Sequence, residues 1–290
     1  MRRVRSEGLL RDKSTTSDEY TISYNVSEYG TCEELKKRYQ VHKTIGYGGQ
    51  ATVKEAIDTD MDDVAALKIF RKRNMNLFAL NAAHFEHFIM KSLDHENILS
   101  CKGYFEDNDY IIIIYELMSS DLRSLLVELD APLSESQVKK IFHQMLLSID
   151  HCHQRNIVHR DVKLENFLVD TNADGNIIIK LSDFGLACKF EKEKPPTTKC
   201  GSILSVAPEM LTLKSYCHKV DMWGLGIILH ELLTTQLPFY NDDENLYKNN
   251  IVNERLKIGD ADVWQDVSTE AKDLISKLLD KNPVSRLSSQ

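Results

Sequence analysis

Residues 221–233, "DMWGLGIILHELL", are apolar nearly all the way round a helical wheel. A helix of that pattern must be covered on every side, so the chain has to supply other helices to surround it. They are legible. Ser134 and Gln137 form a capping box, and behind it Val138, Ile141, Phe142, Met145, Leu146, Ile149 and Cys152 recur at helical spacing. "STEAKDLISKLLD" starts at a Ser cap and stops before Pro283. Ahead of Met118 the character differs. "YQVHKTI" alternates, "GYGG" breaks the pattern, and "ATVKEAI", "VAALKIF" and "YIIIIYELM" read as further strands. One helix, "HFEHFIMKSL", carries Phe85, Phe88 and Ile89 at helical spacing. The expected class is α+β: a small β-rich lobe with one helix over residues 39–117, then a larger, mostly helical lobe over 118–290, with a ligand cleft between them. Residues 1–38 are polar and without period, which predicts a flexible extension with one added strand around Tyr20–Tyr24.

Bulk properties exclude several classes. A formal net charge of −8 argues against nucleic acid as the main partner, because phosphate backbones recruit basic faces. No apolar run approaches the roughly 20 residues of a membrane helix, and "MRRVRSEGLL" lacks an apolar signal core. Six cysteines without disulfide or zinc spacing imply reduced thiols and a cytoplasmic protein. "HCH" at His151–His153 invites a metal, but neighbouring residues on a helix point apart.

Four stretches carry chemistry. "IGYGGQATV", Ile45–Val53, places Gly46, Gly48 and Gly49 between two strands, where bare backbone can lie over phosphates; as a plain hairpin turn it would be ordinary. No Lys-Ser/Thr pair follows it and no helix opens there, so it is neither a Walker loop nor a dinucleotide fingerprint. Lys68 sits in the apolar strand "VAALKIF", sharing a face with Ala66 and Phe70. A buried lysine needs an anion. Glu86, in the middle of an apolar helix, is the candidate, and a snorkelling edge lysine is the plainer alternative. In "HRDVKLEN", Asp161 can accept a proton from a hydroxyl, Lys163 can hold a moving phosphoryl group, and Asn166 can ligate a metal through its amide oxygen. Asp183, twenty-two residues on, heads "DFG" and suits a Mg²⁺ that bridges phosphates. Phosphoryl transfer asks for placed charge more than covalent chemistry, and this set supplies it.

The order H-R-D-x-K-x-x-N, D-F-G, "APE" (Ala207–Glu209) and "DMWGLG" resembles the eukaryotic protein kinases over roughly 250 residues. The resemblance implies the bilobal kinase fold, with ATP and Mg²⁺ as cofactors. Ile45, Gly46, Gly48 and Gly49 would cover ATP, with Ala51 replacing the family's third loop glycine, and Lys68, oriented by Glu86, would hold the α- and β-phosphates. The hinge would be Glu116–Met118, preceded by the gatekeeper Tyr115. Val53, Ala66 and Leu168 would sandwich adenine, and Asp121 would meet the ribose. Asp161 would be the catalytic base, and Asn166 and Asp183 the Mg²⁺ ligands. Glu209 would pair with Arg286, and Asp221 would anchor the catalytic loop.

Lys163, and Ser202 in "CGSILSVAPE", resemble the serine/threonine class, closest to the calmodulin-dependent and calcium-dependent group. Glu165 matches a position that contacts an upstream arginine in basic-directed kinases. Protein substrates with Ser/Thr sites in basic motifs are thus expected, for a monomeric enzyme. Arg160 and Thr198 match a regulatory pair in which arginine binds an activation-segment phosphate. "RRVRS" suggests self-phosphorylation at Ser6. The chain stops four residues after Arg286, before the place of the family's final helix. "DTNADGNII", Asp170–Ile178, matches half an EF-hand, but its twelfth position is Leu181, so a hairpin turn is expected. A pseudokinase scaffold and a small-molecule kinase are the alternatives. The first is disfavoured by the presence of Lys68, Asp161, Asn166 and Asp183, the second by "APE" and its peptide-docking segment.

Overall fold

The computed structural model describes residues 30–129, 132–212, 215–259 and 262–289, and the chain divides into two compact units. The first runs up to Ser119 and takes in Asp183–Gly185; the second comprises Ser120–Ser182 and the chain from Leu186 onward.

The first unit is a sheet with a helix on each face. Its elements are α1 (Cys32–Arg38), β1 (Tyr39–Tyr47), β2 (Ala51–Asp58), β3 (Asp63–Arg71), α2 (Leu77–Ser92), β4 (Cys101–Glu106) and β5 (Tyr110–Glu116). The strand order is β1-β2-β3-β5-β4, every neighbour antiparallel. Four consecutive isoleucines, Ile111–Ile114, are all buried, so neither face of β5 can be left to water. Alternation sorts them. Ala65, Leu67, Ile112 and Ile114 join Ala56 and Tyr39 in one core cluster, and α1 closes it with Cys32 and Leu35.

The expected flexible extension therefore ends early. Residues 32–38 form a helix begun by a capping box between Thr31 and Glu34, and Gly30 bridges to Phe105. The sheet needed a cover on this face, and a short polar helix with two inward apolar positions supplies it. The strand expected around Tyr20–Tyr24 lies outside the described residues.

The second unit holds β6 (Ser120–Asp121), α3 (Leu122–Glu128), α4 (Glu135–His153), β7 (Ile157–Val158), β8 (Phe167–Thr171), β9 (Ile177–Leu181), β10 (Cys188–Lys189), α5 (Pro208–Thr212), α6 (Lys219–Thr234), α7 (Glu244–Asn253) and α8 (Thr269–Leu278). As its pattern demands, α6 is buried from Val220 through His230, and it packs against α4 and α8. Gly224 makes one contact possible: a Cβ there would stand 2.8 Å from the Val162 carbonyl oxygen, so only glycine lets the 159–166 loop lie on α6. The EF-hand-like stretch is a β8–β9 hairpin paired Thr171 to Ile177. Asn172 closes its turn by accepting from the amides of Asp174 and Asn176. Glu209 and Arg286, 2% and 1% exposed, form a two-point ion pair at 2.5 and 2.8 Å.

Arg38 at the end of α1 reaches Asp58 on β2 through Nε and Nη2, the latter at 2.7 Å. These bonds lower the Asp58 pKa from 3.8 to about 2. A depressed carboxylate pKa adds stability above the unfolded value, and that stability is lost as pH falls through the folded one. Arg38→Ala should thus lower the urea midpoint at neutral pH, with the gap to wild type closing between about pH 4 and about pH 2; urea titrations across that range would test it.

Candidate active site

In the first unit the period of β3 turns Lys68 away from the α1 core, and cross-strand partners share its face: Val53 and Ile113 stand opposite Lys68, and Tyr115 opposite Ala66. Lys68 Nζ donates to Glu86 Oε1 and Oε2 at 2.6 and 2.9 Å and to Asp183 Oδ1 at 2.8 Å. Glu86 is 2% exposed. Its Oε1 also accepts from the Tyr115 hydroxyl at 2.9 Å. Burial opposes charge on Lys68, but the carboxylates of Asp183 and Glu86 outweigh it and hold its pKa above the ordinary lysine value. Burial likewise pushes the Glu86 carboxyl up, with Lys68 opposing.

Asp183 adopts a left-handed φ of 59°, an uncommon conformation for a non-glycine residue, while Phe184 beside it is fully buried. The buried aromatic leaves the carboxylate turned to Lys68 and half exposed.

The glycine loop makes a different point. A Cβ at Gly46, Gly48 or Gly49 would meet nothing closer than 3.6 Å, and none of the three carries a positive φ. The chain's own packing does not require glycine there.

In the second unit the 159–166 loop is tied from beneath. Asp221, 1% exposed, accepts from the amides of His159 and Arg160 at 2.9 and 2.8 Å and from His153 Nε2 at 2.9 Å. Burial works to raise its pKa, but these donors, His153 foremost, hold it below the ordinary value. His159 Nε2 donates to the Ser182 carbonyl at 2.9 Å.

The next residue is Asp161. Its Oδ2 accepts from Lys163 Nζ at 2.7 Å and Asn166 Nδ2 at 3.2 Å, and its Oδ1 from the Ser202 amide at 2.8 Å. Ser202 thus meets Asp161 through its backbone amide. Gly201 allows this approach: its φ is 96°, and a Cβ there would fall 2.5 Å from the Arg160 carbonyl oxygen.

Ile45, Val53, Ala66, Glu116 and Met118 lie in the first unit, and Asp121 and Leu168 in the second. The Glu116 amide donates to the Ser100 carbonyl and its carboxylate accepts from the Ser100 amide. Asp121 N-caps α3, accepting from the Ser124 amide and hydroxyl at 3.0 and 2.7 Å. Arg160 donates to the carbonyls of Leu186 and Ala187 and to the Tyr216 hydroxyl, which in turn donates to the Thr198 carbonyl at 2.6 Å.

Glu165 has a partner from its own chain. Arg123 Nε lies 3.2 Å from Glu165 Oε1, and the guanidinium grips both oxygens of Glu231. Sequence reasoning missed Arg123, His153 and the Tyr115 hydroxyl. Tyr115 could have been found by asking what third group satisfies a buried glutamate.

Residues 39–290 match the sequence pattern of the protein kinase domain, and the chain belongs to the protein kinase family. It is 32% identical over 272 residues to a probable serine/threonine-protein kinase of Dictyostelium discoideum, covering 89% of this chain and 36% of that one. To a probable myosin light chain kinase of the same organism it is 32% identical over 254 residues, 87% of this chain and 64% of the other. To NUAK family SNF1-like kinase 1 of Mus musculus it is 35% identical over 229 residues, 78% and 34% respectively. The chain thus spans between a third and two thirds of the length of these relatives. The first of these relatives is named as a serine/threonine-protein kinase, and the other two are named as kinases.

Tyr115→Phe keeps the ring and removes only the bond to Glu86. Hydrogen bonds to charged groups contribute about 1.5–3 kcal/mol. The variant should lose about that much stability, read as a lower urea midpoint, while the Lys68–Glu86 pair persists.

Proposed function

We propose that the chain is an active serine/threonine protein kinase that moves the γ-phosphoryl of Mg-ATP to hydroxyls on protein substrates. The observation that carries this is Asp161: a buried carboxylate steadied by Lys163, Asn166 and the Ser202 amide on a loop pinned by Asp221. The substrate hydroxyl oxygen bonds to the γ-phosphorus as the bond from that phosphorus to its β-bridging oxygen breaks. ADP leaves with that electron pair, and the hydroxyl proton passes to Asp161. Lys163 supplies positive charge beside Asp161 for the moving phosphoryl group, and Lys68, oriented by Glu86, holds the α- and β-phosphates.

The donor set fits a hard cation, since both candidate ligands are oxygens. Asn166 commits its amide nitrogen to the Asp161 carbonyl at 2.8 Å, which leaves the amide oxygen as its ligand atom. Asn166 and Asp183 would hold Mg²⁺, which neutralises phosphate charge when bound.

The scaffold alternative has no observation in its favour. Glu165, the residue that the resemblance ties to basic substrates, is already paired with Arg123. Cytoplasmic location and a monomeric state belong to this proposal on the sequence evidence alone.

Regulation through Thr198 is proposed to be dispensable. Arg160 is satisfied by two carbonyls and the Tyr216 hydroxyl, and Tyr216 secures the Thr198 backbone, so the segment is tied without a phosphate. Thr198→Ala should keep initial rates within about threefold of wild type, since the Arg160 guanidinium bonds to Leu186, Ala187 and Tyr216. A loss beyond about a hundredfold would make the phosphate necessary. For the central claim, Asp161→Asn should lower transfer to serine peptides by about 10²–10⁴-fold while ATP binding by calorimetry persists. Equal transfer by both proteins would overturn the role given to Asp161.

A further inference from the structure

A cavity of about 180 Å³ in the second unit is lined in part by Lys163, Asn166 and Ser202, the three residues that hold Asp161. A peptide that presents its hydroxyl to Asp161 must lay neighbouring residues across this cavity. Its wall includes the apolar side chains Leu164, Ile228 and Leu237 and two acids, Glu165 and Glu231. Two carboxylates on one wall would draw a cation from a substrate.

The chain supplies that cation itself. Arg123, on the first turn of α3, reaches both oxygens of Glu231, with Nη2 to Oε2 at 3.0 Å, and sends Nε to Glu165 Oε1 at 3.2 Å. The planar fork satisfies Glu231 from two nitrogens, the geometry in which arginine binds carboxylates most tightly. Glu231 is 13% exposed and the Arg123 side chain 32%, so the pair is partly withdrawn from water. Burial works against charge on Arg123, and the two glutamates more than restore it. Lys163 adds a further positive group to the same lining. Arg123 engages Glu231 at two points and Glu165 at one, and Lys163 is held by Asp161, so a basic substrate side chain would have to displace an ion pair within the chain before it gained one of its own.

We propose that Arg123 is the specificity-determining residue of this pocket. It occupies the place between Glu165 and Glu231 that a substrate arginine would take, so the pocket selects an uncharged, apolar side chain close to the acceptor hydroxyl. This rests on the kinase reading above, and the test separates the two.

The probe is a set of fluorescein-labelled serine peptides of one background sequence, with leucine or arginine at each flanking position in turn. Binding to the full chain is read by anisotropy, and phosphorylation in Mg-ATP is read in parallel. Wild type should prefer leucine at the position that reads the cavity. Arg123→Met, which keeps the apolar stem and removes the cation, should gain about tenfold for arginine there, a shift of about 1.4 kcal/mol. Glu165→Gln, which removes one of the two acids facing Arg123, should keep or strengthen the preference for leucine. Should Arg123→Met fold poorly by thermal melting, Arg123→Lys, which keeps a charge but not the fork, should show a smaller gain in the same direction.

The inference is overturned if wild type binds the arginine peptide as tightly as the variants do, or if Glu165→Gln abolishes a preference for arginine. Binding selectivity that appears without phosphorylation overturns the kinase reading and leaves Arg123 in its role.

Discussion

A carboxylate buried at the first turn of a helix is tolerable only where donors surround it. Asp221 collects three: two consecutive backbone amides from the 159–166 loop and the imidazole of His153 at the end of α4. The arrangement holds the backbone around Arg160 in a left-handed conformation, φ 68°, and so directs the residue that follows, Asp161. From there the site builds outward. Lys163 and Asn166 converge on Asp161 from its own loop, and the Gly201–Ser202 backbone reaches it from another segment, at a separation no side chain at 201 would permit. Asp161 is a precise group because a buried charge elsewhere leaves its loop little freedom.

The first unit uses the two faces of its sheet differently. The face under α1 is mainly apolar, with Asp58 held there by Arg38. The face under α2 carries charge: Lys68 on Glu86, and Lys72 with the Tyr104 hydroxyl on Glu106. Accordingly α2 turns His84, Glu86 and His87 inward and leaves Phe78 and Phe88 56% and 40% exposed. Of Phe85, Phe88 and Ile89 only Ile89 is fully buried, on a helix that also buries Ala79, Ala83 and Met90. Polar partners across the interface decide the rest of the buried side, because leaving Lys68 or Glu106 unpaired inside would cost more than exposing a phenyl ring.

Much of this was legible in order. Helices α4, α6 and α8 follow from periodicity and caps, which are local. The pairing of Lys68 with Glu86 follows from the cost of an isolated buried charge, and the Asp161, Lys163 and Asn166 spacing from the needs of phosphoryl transfer. What was illegible had either too little pattern or too much separation. α1 has only Cys32 and Leu35 facing inward, too few for a period. Arg123 meets Glu165 and Glu231 across 42 and 108 residues, and nothing in the first turn of α3 announces either partner.

The sequence by itself determined which segments are helices and strands and which residue types could carry phosphate chemistry, because periodicity, capping and the expense of buried charge act over a few residues at a time. The tertiary structure alone decided which charges are already spent: Tyr115 on Glu86, His153 on Asp221, and Arg123 on the acids that a substrate would otherwise find open. Side-chain pairing between distant segments depends on how helices and strands pack, and packing is a property of the whole chain.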